Sequence, residues 1–523
     1  MRTLFSTAAG RVLLTGSLGC AMTVLDTNVV GIVLPTIARE LGASFADIEW
    51  VVSSYVLCFA ALLLPAGSVA DRYGRKRVFL CGIGLFALAS LACAWAPSAQ
   101  ALYAARAAQG VGAAFLLAPA LAVIGHAFHD EGERARAWAV WGGIMGLTMV
   151  LSPLIGGAIN AALGWRWAFA VNLPICLVLA AAVLRNIPES KNPAPRPLDV
   201  PGILSFSSAV FLLTWALITG PERGWSSVAC VVRALGGAFL FALFIAVERR
   251  RAHPMLDLSL FRSPGFVGAV AAMFAYAASA QVMASLLPLY LQNARGLSAV
   301  AAGLAMLPFA LAMLLLPQLG RRLARHLPSP HILALGLCIT ALGNLIMMLA
   351  ARADGAALTV AGMAVLGSGG GLLNGETQKG IMGNVPRERA GMASGISTTS
   401  RFTGVLAGFA GLGAVLAEGA RSAMEKALAP LDASGAQLRE FVARAMAGDF
   451  ADAAQLYPQQ REAAISAARH AYGAGFSHVF TAAALLALCA AAVVAWSVRR
   501  SARYDLPPAS PGAEAPIRRT PQS

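Results

Sequence analysis

Charge is what this sequence is shortest of. Only 12% of its 523 residues are Asp, Glu, Lys or Arg, where a soluble globular domain carries about 25%. That shortage excludes a soluble enzyme with one greasy tail. With 58% hydrophobic residues and a mean hydropathy of +0.68, the composition is that of a polytopic membrane protein. Cysteine is scattered: Cys20, Cys58, Cys81, Cys93, Cys176, Cys230, Cys338 and Cys489 include no CxxC pair. Neither a disulfide framework nor a cysteine metal site is expected, and the thiols read as small apolar packing groups. The histidines show no HExxH spacing, and His126 with His129 in one loop is too small a ligand set for a metal. There is no nucleophile–base pair and no Walker-type phosphate loop. An enzyme, a cofactor and ATP as energy source are therefore all unexpected. The net charge of +15 would suggest nucleic acid in a soluble protein. Here the basic residues lie in short loops between apolar runs, where they set topology and meet lipid headgroups.

What the chain does have is long apolar runs. A spanning helix needs about 20 predominantly apolar residues. Fourteen runs qualify: 12–36, 47–70, 77–96, 100–124, 138–160, 167–185, 201–219, 228–247, 266–291, 299–319, 331–351, 357–383, 393–417 and 473–498. Arg2, Arg11 and the stretch ending at Cys20 faintly mimic a signal peptide, but the apolar run continues to Pro35 and reads as a retained first helix. Loops after even-numbered spans hold eighteen basic residues, among them Arg72, Arg75, Lys76 and Arg77; short loops after odd-numbered spans hold five, Arg39, Arg166, Arg223, Arg295 and Arg352. This bias predicts both termini in the cytoplasm, which requires an even helix count.

The first span contains Leu25-Asp26-Thr27-Asn28-Val29-Val30-Gly31-Ile32-Val33-Leu34-Pro35. A charge near bilayer depth costs roughly 2.5–3.5 kcal/mol on insertion scales, so Asp26 is a functional candidate by default. The alternative is a buried hydrogen bond that only locks helices together. The fourth span opens Leu102-Tyr103-Ala104-Ala105-Arg106-Ala107-Ala108-Gln109-Gly110-Val111-Gly112. At a rise of about 1.5 Å per residue, Asp26 lies roughly 21 Å from one end of its span and Arg106 roughly 9 Å from the opposite end of its own. In a core about 30 Å thick these depths allow a pair, against the alternative that Arg106 snorkels to headgroups. Gly67-Ser68-Val69-Ala70-Asp71-Arg72-Tyr73-Gly74-Arg75-Lys76-Arg77 follows the second span, with glycines for a tight turn and Asp71 able to cap a neighbouring helix. The fifth span carries Ser152-Pro153-Leu154-Ile155-Gly156-Gly157, a kink with small packing residues. Next come Trp165-Arg166-Trp167, read as an interfacial aromatic anchor, and the polar break at Asn172.

Together these stretches resemble the major facilitator superfamily. Residues 67–77 are similar to its GxLaDrxGrk motif and 102–112 to its lxxxRxxQGxg motif. LDTNVVGIVLP and WRWAFAVNLP resemble the fourteen-helix drug:proton antiporter branch, the EmrB/QacA type. So do Asp199 and Gly202, the Leu256–Phe261 run, Leu289 to Gln292, Gly303 to Pro308 and Arg401.

The resemblance implies an all-α major facilitator fold: a six-helix bundle over 1–185, a linker with two added helices over 186–262, and a second six-helix bundle over 263–500. A disordered tail over 501–523 would follow. It implies alternating access about a central site, with spans 1, 4, 9 and 12 lining the cavity. Asp26 with Arg106 would serve proton coupling. Asn28, Gln109, Gln292, Asn374, Glu376 and Lys379 are candidate cavity residues. Gly67, Asp71, Arg72, Gly74, Arg75, Arg77, Pro153, Gly156 and Gly157 would govern gating, with Asp71 against the start of span 13.

The fifth span departs from gxxxGPxxGG, having Thr148 and Ser152 where the pattern has glycine. The second-half counterpart of 67–77, Gly320 to Arg325, lacks the aspartate, and span 10 has no acid. The last point favours monocationic or neutral cargo. Glu376 and Lys379, three apart on one helix face, either bind cargo or neutralise each other near the helix end.

Residues 418–472 place Leu438, Phe441, Val442, Ala445 and Met446 at helical spacing, which predicts short amphipathic helices folded over the outer mouth or lying along the interface, against the alternative of a plain spacer. The expected function is export of amphipathic compounds across a bacterial inner membrane, with protons and cargo as partners. Export of one metabolite, siderophore or antibiotic and a non-transporting sensor are the alternatives. A periplasmic adaptor and outer-membrane channel, used by some EmrB-type pumps, stay open as partners.

Overall fold

The computed structural model describes residues 7–504 apart from 129, 192–198, 252–257, 354, 386–389 and 429–434. The tail expected over 501–523 therefore lies outside the described residues beyond Tyr504. The described residues contain helices and no strand. Fourteen segments are long and apolar enough to cross a membrane. They are α1 (Ala8–Leu41), α2 (Phe45–Tyr73), α3 (Arg75–Ala94), α4 (Ala99–Ala127), α5 (Glu131–Leu163), α6 (Arg166–Asn186), α7 (Val200–Arg223), α8 (Val228–Arg250), α9 (Pro264–Ala294), α10 (Ala299–Leu323), α11 (Ser329–Ala353), α12 (Ala356–Gly383), α13 (Ala390–Leu428) and α14 (Arg461–Tyr504). The even number of crossings puts both described ends of the chain on one face, the termini face. The opposite one is the far face.

The packing repeats. In the first half α1 packs on α4, α5 and α6, α4 on α2 and α3, and α3 on α6. In the second half α9 packs on α12, α13 and α14, α12 on α10 and α11, and α11 on α14. The same six pairings thus recur eight helices later. The extra pair, α7 and α8, packs on itself and lays α7 over the seam between α2 and α13. Trp50 of α2 meets Phe211 and Trp215 of α7 there, with ring centroids 5.9 and 6.4 Å apart.

Glycine sets how closely the first half can pack. A Cβ on Gly110 would strike the Tyr55 carbonyl oxygen on α2, one on Gly112 would lie 2.6 Å from the Phe86 nitrogen on α3, and one on Gly82 of α3 would strike the Phe115 backbone. So α4 touches α2 and α3 backbone to backbone, as small residues allow between membrane helices.

The halves join toward the far face, along seams related by the same repeat. On α5–α10, a Cβ on Gly303 would come within 2.6 Å of the Pro153 oxygen, and one on Gly157 within 2.9 Å of the Ala299 oxygen. On α2–α13, Phe59 and Phe402 meet edge to face at 4.4 Å, and Glu49 seats against Gly413. Between α1 and α9, Gln292 donates to the Ile32 carbonyl at 2.9 Å. Apart from Phe59–Phe402 near mid-helix, these bridging contacts fall in the far halves of their helices, so the far side is the closed one. The helix α9 changes to π geometry at Ala277–Gln281 and again at Tyr290–Ala294.

Two expectations need correcting. The outer segment is shorter than 418–472, because α13 runs on to Leu428 and α14 already begins at Arg461. Between them, helix Gly435–Met446 buries Phe441, Val442, Ala445 and Met446 on the amphipathic face expected from sequence. Short turns follow, and Phe450 packs on Tyr472 of α14. Trp165 is not a lipid-facing anchor. It is fully buried and donates to Glu40 at 2.9 Å, while Trp167 is the exposed ring.

Overpacking a close helix contact costs about 1–3 kcal/mol. Gly112→Val is expected to lower stability by about that amount in thermal unfolding of the purified protein. Gly142→Val, with open space around it, is expected to be near neutral.

Candidate functional site

Asp26 sits mid-way along α1 and is 1% exposed, as is Arg106 on α4. The Arg106 Nη1 donates to Asp26 Oδ2 at 2.6 Å. The other carboxylate oxygen accepts from Gln109 Nε2 and from Asn172 Nδ2, each at 2.9 Å. The guanidinium also donates to Gln109 Oε1 at 2.7 Å and to the Val51 carbonyl at 3.2 Å. It lies over the Tyr55 ring at 4.1 Å. Gln109 Nε2 reaches Ser90 Oγ at 2.8 Å. One closed network thus joins α1, α2, α3, α4 and α6. Each member fits its helix: Arg106 and Gln109 are three apart and share a face, and the Gly110 contact brings the Val51–Tyr55 backbone within reach of the guanidinium.

The network excludes snorkelling for Arg106, which reaches no surface. It also places Gln109, an expected cavity residue, among buried partners of Asp26. Breaking a buried ion pair leaves an uncompensated charge and costs about 3–5 kcal/mol, whereas losing one hydrogen bond to it costs about 1–3 kcal/mol. Chemically, the site holds one carboxylate whose charge is balanced by one fixed cation and two amides. A proton on Asp26 would remove the negative partner of a cation that is itself 1% exposed.

The other expected site residues are dispersed. Asn28 is half-buried and donates to the Val24 carbonyl of its own helix at 2.8 Å. Gln292 belongs to the α1–α9 closure described above. Asn374 is half-buried on α12. Glu376, 5% exposed, faces α11, where it accepts from Ser329 at 3.3 Å and pairs with the exposed Lys379 at 3.4 Å. Gln378, on the same helix, accepts from Ser397 of α13.

In the 67–77 loop, Asp71 pairs with Arg75 at 2.8 Å. The residue capping the start of α3 is Glu189, which accepts from the Lys76 and Arg77 backbone nitrogens at 3.1 and 3.3 Å. Gly74, at φ +116°, gives the turn a conformation open to glycine, and Glu189 fills the space a Cβ would need. Arg72 lies 5.8 Å over the Tyr73 ring, and Gly67 faces Ala118 of α4. Pro153 and Gly157 form the α5–α10 seam, while Gly156 faces Val29 and Ile32 of α1. Thr148 and Ser152, the two departures from glycine, satisfy their hydroxyls on the Ile144 and Thr148 carbonyls of their own helix.

Sequence reasoning missed Asn172, Ser90, Tyr55, Glu189 and Glu49 as members of these sites. Asn172 had a signal, as the polar residue that breaks an apolar run. Ser90 and Tyr55 had none, because neither residue type is unusual in a membrane helix. Arg401 of α13, noted only within the resemblance, donates to Gln281 at 2.8 Å in the first π segment of α9.

Residues 16–409 match the family model described as Major Facilitator Superfamily. The multidrug resistance protein Stp of Mycobacterium tuberculosis is 39% identical over 406 residues, covering 77% of this chain and 75% of that protein. The methylenomycin A resistance protein of Streptomyces coelicolor is 33% identical, covering 76% and 84%. The multidrug efflux pump LfrA of Mycolicibacterium smegmatis is 32% identical over 478 residues, covering 91% and 94%. Among solved structures, a bacterial homolog of the human lysosomal transporter Spinster superposes with a TM-score of 0.66 at 17% identity, covering 95% and 98%. A peptide transporter POT in complex with sulfate gives 0.64 at 14%, covering 94% and 96%.

Thermal unfolding tests the network. Arg106→Ala should lose about 3–5 kcal/mol and Asn172→Ala about 1–3 kcal/mol. The double variant Asp26→Asn/Arg106→Gln should cost less than its two single changes summed, since it leaves no unpaired charge.

Proposed function

Because the chain belongs to the major facilitator superfamily, a family of multi-pass membrane transporters, we propose that it is a proton-driven exporter of small amphipathic compounds. Its cargo would be monocationic or neutral, and its place the bacterial inner membrane with both termini cytoplasmic. The observation that carries this reading is the buried Asp26–Arg106 pair at 2.6 Å, taken with relatives named for multidrug efflux. Exporters need an energy source, and a titratable carboxylate held against one fixed cation supplies the means to use a proton gradient.

The working cycle follows from that pair. With the far side closed and Asp26 ionised, Arg106 is held in the first half. With cargo bound, the two halves rock about the α5–α10 and α2–α13 seams and open the site to the far face. A proton taken up from that side neutralises Asp26, leaves Arg106 as a buried cation without its counter-charge, a state several kcal/mol less stable, and favours cargo release. When the halves rock back, proton release toward the termini face restores the ion pair. A cationic cargo competes with Arg106 for the same carboxylate, which couples cargo to proton with opposite directions of travel. Asn28 and Asn374, both half-buried, are the candidate polar groups for cargo. A periplasmic adaptor and outer-membrane channel would extend the path where the cell has a second membrane.

A second reading, export of one particular antibiotic or metabolite by the same machinery, is favoured by the relative named for methylenomycin A resistance.

Dye movement in everted vesicles under an imposed pH gradient tests both. Wild type is expected to move a cationic fluorescent dye only with the gradient present, and Asp26→Asn to insert normally but lose gradient-driven movement. Full efflux by Asp26→Asn would refute the coupling role. An inserted wild type that moves no dye, yet moves one compound of a metabolite panel, would establish the second reading.

A further inference from the structure

The far face carries basic residues in the outer segment between α13 and α14, among them Arg439 and Arg444, and in its short loops, which hold five: Arg39, Arg166, Arg223, Arg295 and Arg352. Two of those five, Arg295 at the end of α9 and Arg352 at the end of α11, line a single cavity of about 470 Å³. Arg469 and His470 of α14 line it as well. Among the described residues that line it, Glu462 is the carboxylate beside these guanidinium groups. The Arg469 guanidinium is held over the left-handed turn at Gly296, where φ is +68° and a Cβ would approach it within 3.1 Å. The floor is small and apolar, formed by Ala294, Ala351 and Gly473. A cavity lined by more cationic than anionic side chains suits an anionic occupant.

The surroundings identify which kind. Arg352 and Arg469 are exposed at the rim. Directly below Arg352 on α11, one and three turns down the same face, Leu349 and Leu342 are 50% and 52% exposed on the apolar exterior. Apolar side chains so exposed on a spanning helix face acyl chains. A cationic pocket set over an apolar stripe matches a molecule with a phosphate head and hydrocarbon tails.

We propose that the cavity between α9, α11 and α14 binds the phosphate headgroup of an anionic phospholipid in the far leaflet, its tails lying along Leu349 and Leu342. Arg352 and Arg469 take the phosphate oxygens, Arg295 adds charge from the inner wall, and Glu462 weakens the site. By bridging three helices of the second half at their far ends, the lipid steadies the end of α9 that contributes Gln292 to the far-side closure.

The test uses the full-length purified protein in detergent, read by native mass spectrometry and thermal unfolding. The probes are phosphatidylglycerol, phosphatidylcholine of the same chain length, and inorganic phosphate. Wild type is expected to retain phosphatidylglycerol over phosphatidylcholine and to be stabilised by it. Arg352→Gln and Arg469→Gln should each weaken retention roughly fivefold, and Glu462→Gln should strengthen it. Equal retention of the two lipids, or unchanged retention in the double arginine variant with a normal unfolding profile, would overturn the site. Stabilisation by inorganic phosphate equal to that by phosphatidylglycerol would overturn the lipid assignment in favour of a soluble anion.

Discussion

A carboxylate and a guanidinium buried together in the first half of this protein set the terms for everything around them. Taking either ion out of water costs several kcal/mol after relaxation, and their mutual attraction repays this only when remaining hydrogen-bond sites are filled. Here they are filled from five helices: Arg106, Gln109 and Asn172 on the Asp26 oxygens, the Val51 carbonyl and Tyr55 ring on the guanidinium, and Ser90 behind Gln109. Such a network tolerates little slack. Its partners must arrive within a few tenths of an ångström, so α2, α3 and α4 must pack at backbone contact, which explains glycine at 82, 110 and 112. A motif that reads as polar residues beside glycines is one physical unit.

The seams between the halves obey a different rule. They too use small residues, with Gly157 and Gly303 on α5–α10 and Gly413, against the Glu49 side chain, on α2–α13. Van der Waals contact between small residues is made and broken at low cost. A rigid, charge-locked half meeting another half across soft seams is the mechanical requirement for rocking about a central site. The π segments of α9 fit the same division, since such segments are common where a helix serves function.

The far face shows how chain position and tertiary structure combine. Arg295, Arg352 and Arg469 lie far apart in sequence, yet the fold draws them to one cavity. On the other face Glu189, far away in sequence, caps α3 through the Lys76 and Arg77 nitrogens, leaving Asp71 to pair with Arg75. The Asp71 contact expected at the start of span 13 falls on 386–389, outside the described residues.

Read as a string, the sequence was enough for the fold class, the fourteen helices and the pairing of Asp26 with Arg106. The reason is that lipid removes alternatives. Every backbone group must be satisfied inside its own segment, so apolar length alone specifies a helix, and a rare intramembrane charge must find the other rare charge at its depth. What only tertiary structure decided was everything set by side-chain direction across helices. Asn172, Ser90 and Gln109 join the Asp26 network, Trp165 is buried on Glu40, and the outer segment shortens because α13 and α14 keep turning while they have each other to pack against. None of these follows from hydropathy or spacing, since each depends on which face of one helix meets which face of another. That choice is made by packing, and packing is a property of the assembled chain.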